Sequence, residues 1–198
     1  RIYRPGELLA FSMVLIGKAQ EHLALVTYAW QRAFAREVGH GKARLSTLYI
    51  ETSVGKEKIY DETSRAIIDH DTHLDIVIEP ITSARLTFMT PLRLQDNGHA
   101  LPAAKLTVRR FMMALVRRIA LLSEFHMASP IETDFHALSL QAEQIQDARE
   151  LTWRDWTRYS SRQRQTMQLG GVVGTLTLTG IPEIYLPYLH LGQWLHVG

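Results

Sequence analysis

An α+β fold of two tandem ferredoxin-like (RRM-like) units, the first truncated at its N-terminus, is predicted by three observations in this 198-residue chain. Apolar alternation and helical stripes succeed one another along the whole length, as in mixed α and β proteins. From residue 81 to residue 198, one extra helix apart, they read β-α-β-β-α-β, the ferredoxin-like order. Residues 1–80 read β-α-β, the back half of a second such unit.

The elements follow in order. Arg4-Pro5-Gly6-Glu7 is a turn signal, and Leu8 to Ile16 reads as a strand closed by Gly17. From Ala19 the spacing is helical, with Leu23, Val26, Trp30, Ala33 and Phe34 on one face. Gly39-His40-Gly41 ends that helix. Leu45 to Thr52 is a strand, with Lys58 to Tyr60 as a short partner. Residues 61–82 are polar, poorly periodic and the natural junction.

Beyond it, Ser83 to Met89 is a strand, with Pro91 and Asn97-Gly98 in the following loop. Thr107 to Phe125 is a helix whose apolar stripe runs through Val108, Phe111, Met112, Leu115, Ile119 and Leu122. Thr133 or Asp134 caps a second helix to Ile145, which is the extra one. Leu151 to Tyr159 and Thr166 to Thr179 read as paired strands. Pro182 opens a short helix to Leu189, and Trp194 to Val197 reads as a last strand.

Composition excludes several chemistries. There is no cysteine, so disulfides, thiolate zinc sites, iron–sulfur ligation and cysteine nucleophiles are absent. No run of about 18 uncharged apolar residues exists, because Arg117 and Arg118 break the best candidate, so no membrane partner is expected. No signal peptide is visible, and a cytoplasmic location is expected. The chain opens at Arg1 rather than Met and stops at Gly198 without a polar tail, which reads as a fragment. No Walker-type loop, dinucleotide fingerprint or Gly-x-Ser-x-Gly occurs, and no cofactor is expected.

Charge is patchy although 22 basic residues nearly balance 20 acidic ones. Lys105, Arg109, Arg110, Arg117 and Arg118 fall together with no acid among them, and three of them oppose the helix's apolar stripe. A solvated helix face has the same appearance. Arg149, Arg154, Arg158, Arg162 and Arg164 follow, interleaved with aromatics. Strand alternation sets Arg154, Trp156 and Arg158 on one face and Trp153 and Tyr159 on the other. Guanidinium forks pair with phosphate and aromatic faces stack on bases, so this mixture suits single-stranded RNA. Gly170, Gly171 and Gly174 inside a strand signal a bulge or a close backbone approach.

Nine histidines invite a search for metal and acid–base sites. Asp69-His70-Asp71, His73 and Asp75 form the densest cluster, but their spacing fits no ligand motif and reads as a solvated linker. His126 and His136 flank a helix–helix turn and read as capping or surface residues. No metal site is assigned. His190 and His196 bracket a short segment near Gly198, where an imidazole beside a glycine loop could act as general acid or base.

Several stretches resemble the CRISPR-associated precursor-crRNA processing endoribonucleases of the RAMP superfamily. They are Ile184 to Gly198, Trp156 to Arg164, Met167 to Gly174, Thr87 to Leu94 and the Arg109 to His126 helix. Near the front, Pro5-Gly6-Glu7, Leu15-Ile16-Gly17 and Gly39 to Arg44 are similar to the same family. The resemblance implies tandem ferredoxin-like domains with a basic cleft between them, and CRISPR repeat RNA as substrate. It implies metal-independent cleavage, in which the RNA's own 2′-OH attacks the adjacent phosphate to leave a 2′,3′-cyclic phosphate. Other CRISPR effector subunits, or a second copy of the chain, are the further partners it suggests.

Members of this family usually carry the catalytic histidine in the first domain, a region expected here to lie upstream of Arg1. His40, in Gly39-His40-Gly41, and His196 are then the catalytic candidates. The RNA-binding candidates are Lys42, Arg44, Lys105, Arg109, Arg110, Arg117, Arg154, Arg158, Arg162 and Arg164, with Gly170, Gly171, Gly174 and Gly198 admitting the RNA close to the backbone. A non-catalytic RAMP subunit that holds guide RNA is the alternative. A ferredoxin-like domain for oligomerisation or small-molecule sensing is the third reading.

Overall fold

The computed structural model describes residues 3–38, 41–52, 54–155, 157–160 and 165–197. The chain divides into two compact units, Arg1–Asp75 and Ile76–Gly198.

In the first unit a 3-10 turn over Gly17–His22 leads into helix α1 (Leu23–Arg36). The i, i+4 pair Trp30 and Phe34 sets two rings on one face, 5.3 Å apart, and Phe11 packs on both at 4.7 and 5.9 Å. Strands β1 (Thr47–Thr52) and β2 (Gly55–Asp61) pair antiparallel, with a register shift between Leu48 and Tyr49. Phe34, Ile59 and Tyr60 are buried, and Gln31 Nε2 donates to the Tyr60 hydroxyl at 2.8 Å.

The expected strand from Leu8 to Ile16 is not one. That segment is held through Phe11, while Leu8, Leu9, Phe11, Met13 and Val14 all remain exposed and no ladder reaches it among the described residues. Apolar alternation specifies a strand only where a neighbouring strand takes up the backbone hydrogen bonds.

The second unit is built on strands β3 (Ser83–Leu92), β6 (Gln146–Arg154) and β9 (Gly171–Thr179), in the spatial order β3-β9-β6. Both outer strands run antiparallel to β9 and so parallel to each other. Helices α2 (Val108–His126) and α3 (Phe135–Ala142) form the crossover between them. A strand inserted between two parallel strands joined through helices is the split β-α-β arrangement of a ferredoxin-like sheet. Helix α4 (Leu186–Gly192) follows β9.

The core lies on one sheet face. Phe111, Met112, Leu115, Val116 and Ile119 of α2 meet Leu176 and Leu178 of β9, Leu138 of α3 and Leu186 and Leu189 of α4, all buried. Each fully buried side chain of this kind contributes about 1.5–3 kcal/mol. Residues paired across the ladder share a face, so Arg85, Thr87, Ala148, Glu150, Thr175 and Thr177 belong to the other.

Caps bound the helices as their side chains dictate. The Thr107 hydroxyl accepts from Arg110 N–H at 3.3 Å, and the Asp134 carboxylate accepts from His136 and Ala137 N–H at 3.0 and 2.9 Å. Asp134, rather than Thr133, is therefore the cap of α3. A small hairpin, β4 (Gln95–Asp96) with β5 (His99–Ala100), turns through Asn97 and Gly98 at φ 50° and 79°, the left-handed pair a two-residue turn requires.

Three further expectations need correction. Helix α3 stops at Ala142, so Gln146 already begins β6. The single long strand pair expected from 151 to 179 is two pairs: β6 with β9, and beyond them β7 (Thr157–Ser160) with β8 (Gln165–Gln168). Trp194–Val197 is not a strand; Trp194 and Leu195 N–H both bond back to the Leu191 carbonyl, closing the end of α4.

Candidate nucleic-acid interface

Helices α2 and α3 run side by side in opposite directions. At their joint the Ser123 hydroxyl accepts from Ile131 N–H at 3.1 Å. At the other end Arg109 bonds the Ser139 hydroxyl at 2.7 Å and Glu143 at 2.8 Å. Because the apolar stripe of α2 faces the sheet, Arg109, Arg110 and Arg117 line the outer groove between the two helices. That groove has a volume of about 480 Å³ and is lined by Arg109, Arg110, Arg117, Phe135, His136 and Ser139, among others, with no carboxylate in its wall.

The cations of the groove differ in engagement. Arg110 pairs with Asp96 of the β4–β5 hairpin at 2.9 Å. Arg117 has no hydrogen-bond or ion-pair partner among the described residues and is exposed. Lys105, at the end of the 3-10 turn Ala103–Lys105, is exposed and likewise unpaired among them. The Arg109 and Arg110 pairs are solvent-exposed, where such bridges are worth about 0–1 kcal/mol. A phosphate can therefore replace either carboxylate at little cost.

At the far end of β6, Arg154 is exposed and lies opposite Gly171 in the ladder. The neighbouring Trp153, on the other face, covers Gly170 and donates from Nε1 to Asp155 at 2.8 Å. Arg158 stands in β7 opposite Met167. Arg162 and Arg164, between β7 and β8, lie outside the described residues.

Two other arginines brace the fold. Arg93 donates to the Gly170 carbonyl at 2.7 Å, and Arg149 donates to the Leu106 carbonyl at 3.0 Å while also pairing with Asp147. The three glycines of this region touch protein closely. A β-carbon at Gly171 would stand 2.7 Å from the Leu92 carbonyl oxygen, and one at Gly174 2.1 Å from that of Glu150. Gly174 also has φ 120°, beside the register shift between Phe88 and Leu92 of β3.

In the first unit, Lys42 is exposed, and Arg44 pairs with Glu62 at 2.9 Å with 81% of its side chain exposed. His40 and Gly198 lie outside the described residues. His196 follows α4, exposed and with no hydrogen-bond partner among the described residues. His190 Nε2 sits 3.4 Å from the Glu79 carbonyl. In the linker cluster, His73 Nδ1 bonds Gln20 at 3.1 Å, and among the described residues no three His, Cys, Asp or Glu are grouped to hold a metal. No helix of the described residues is long and apolar enough to cross a membrane.

The groove partners Phe135, His136, Ser139 and Asp96 were not legible as site residues. His136 looked like a capping or surface residue, and only the α2–α3 packing sets it beside Arg117.

The split sheet with a basic helix face defines an α+β protein of ferredoxin-like architecture. More particularly, a family model described as CRISPR-associated endoribonuclease Cas6 matches residues 86–198, over half of the chain, and the chain belongs to that family. A second model, described as an N-terminal domain, matches residues 1–72. Among solved structures a Cas6 product complex is similar, at 19% identity and a TM-score of 0.39, over 58% of this chain and 44% of that one. The chain thus spans less than half the length of that relative. A comparison with curated proteins found no match.

Proposed function

We propose that this chain binds CRISPR repeat precursor RNA and cleaves it without a metal ion, the RNA's 2′-OH acting as nucleophile. The observation that carries the reading is the match to the endoribonuclease family over residues 86–198, the same span that holds the basic α2 face and Arg154.

In the reaction the 2′ oxygen forms a bond to phosphorus while the bond from phosphorus to the 5′ oxygen breaks. The products are a 2′,3′-cyclic phosphate and a 5′-hydroxyl. A general base takes the 2′ proton and a general acid returns one to the leaving 5′ oxygen. Cations hold the charge that develops on the phosphoryl oxygens. Histidine suits the proton transfers because its ordinary pKa lies near neutrality. His196 is exposed and has no protein partner among the described residues, so its ring nitrogens are open to substrate; His40 is the second candidate. Lys42, Arg44, Lys105, Arg109, Arg110, Arg117, Arg154, Arg158, Arg162 and Arg164 hold the phosphates, whereas the space beside Gly170, Gly171 and Gly174 is taken by Trp153, Leu92 and Glu150 rather than left for RNA.

The test is a denaturing gel of end-labelled repeat RNA incubated with the protein in excess EDTA. One discrete product ending in a cyclic phosphate, lost when the cut site carries a 2′-deoxy sugar, is the expected result. RNA bound but left intact overturns the enzymatic reading. That result is the signature of the alternative, a subunit that holds guide RNA without cutting.

A further inference from the structure

We infer that the groove between α2 and α3 is a binding site for one unpaired nucleotide of an RNA strand, taking both its phosphate and its base. The inference rests on the reading that this chain binds RNA, and it adds residues and a mode of binding to that reading.

Three features converge. The groove's volume of about 480 Å³ lies in the range of roughly 300–1,000 Å³ typical of small-ligand pockets. Its wall carries three guanidinium groups and no carboxylate. One of them, Arg117, has no protein partner among the described residues, and the other two are held by exposed carboxylates that a phosphate can replace. These cations alone would make only a backbone-tracking patch.

Phe135 changes that. It is the first residue of α3, it is 41% exposed, and it makes no ring contact with another aromatic among the described residues. An apolar ring left in a basic groove is a platform for a base, since every nucleobase offers a π-face. The residues beside it, His136 and Ser139, supply polar groups at the groove wall. Ser139 already takes the Arg109 guanidinium at 2.7 Å, which sets that fork across the groove. Inside a duplex each base is stacked on both faces, so the ring selects an unpaired nucleotide.

The site is tested with two variants at exposed positions, Phe135→Leu and Arg117→Gln, both checked for an unchanged melting temperature. Fluorescence anisotropy measures binding of a labelled oligouridine decamer and of a blunt RNA duplex over a range of salt. For the decamer, F135L should weaken binding about tenfold at an unchanged salt slope. R117Q should weaken it and flatten the slope by about 0.7. Duplex affinity should be unmoved by F135L. If wild-type protein binds neither RNA, the RNA-binding reading itself falls, and this inference with it. If wild type binds the decamer and F135L binds equally well, the nucleotide site is overturned alone; a loss confined to R117Q then marks a plain phosphate contact.

Discussion

The indole of Trp153 lies so close to Gly170 that a β-carbon on that glycine would stand 2.8 Å from Cζ2 and 2.9 Å from Nε1. Arg93 holds the same residue from its carbonyl at 2.7 Å, and Asp155 holds the indole N–H at 2.8 Å. The start of β9 is thereby tied to the end of β6. Trp153, which sequence alone offers as a stacking ring, has part of its surface committed to the fold.

Close strand approach makes Gly174 and Gly98 respond differently to the same change. Gly174→Ala forces a β-carbon onto the Glu150 carbonyl, a backbone atom fixed in the ladder, and does so at φ 120°. It should cost about 3 kcal/mol or more. Gly98→Ala meets nothing within 4 Å and carries only its φ of 79°, a cost of about 1–2 kcal/mol. Urea unfolding of both variants checks the order, and equal midpoints would refute the close approach.

Alkaline pH should loosen the second unit through Tyr185. Its ring is fully buried and its hydroxyl donates to the Leu138 carbonyl. Burial, with Tyr188 nearby adding repulsion, pushes the phenol from its ordinary 10.0 up to about 12. Raised in the folded state, this acid gives stability that is intact below pH 10.0 and lost as pH climbs through about 12. Tyr185→Phe should cost about 1–2 kcal/mol at neutral pH. It should also flatten that alkaline decline, as followed by denaturant titrations at stepped pH.

Replacing Arg158 and Arg162 together by Ala should weaken RNA binding by a similar factor whatever the sequence. The salt slope should flatten by about 1.4, two single-strand phosphate contacts being lost. Filter binding at several salt concentrations reads this directly. An unchanged slope would remove these arginines from the interface.

His196→Ala should lower the single-turnover cleavage rate by about 10²–10⁴ if its imidazole moves a proton. RNA affinity should stay within about twofold, since the arginines and lysines carry the phosphate contacts. Cleavage at the wild-type rate would dismiss His196 and leave His40 for the same experiment.

Local chemistry makes much of this fold legible in the sequence. The stripes of α1 and α2 follow from apolar residues recurring every three or four positions, and that recurrence survives any arrangement of neighbours. The Asn97-Gly98 turn likewise needs nothing beyond its own two residues, and glycines at 171 and 174 already signalled a close approach. Basic residues opposite the α2 stripe had to face outward once the stripe was buried.

Tertiary structure decided the rest. Leu8 to Ile16 alternates like a strand, yet it is anchored through Phe11 on Trp30 and Phe34 and joins no ladder among the described residues. Strand identity belongs to a pair of segments, and no single segment states whether its partner is there. Trp194–Val197 went the same way, its first two amides turning back to Leu191. The groove is the clearest case. Arg117 and Phe135 stand 18 positions apart and nothing in the intervening sequence links them. Only the packing of two helices on one sheet sets an exposed guanidinium and an exposed ring along one groove, because side-chain proximity is fixed by core burial on the opposite faces of those helices.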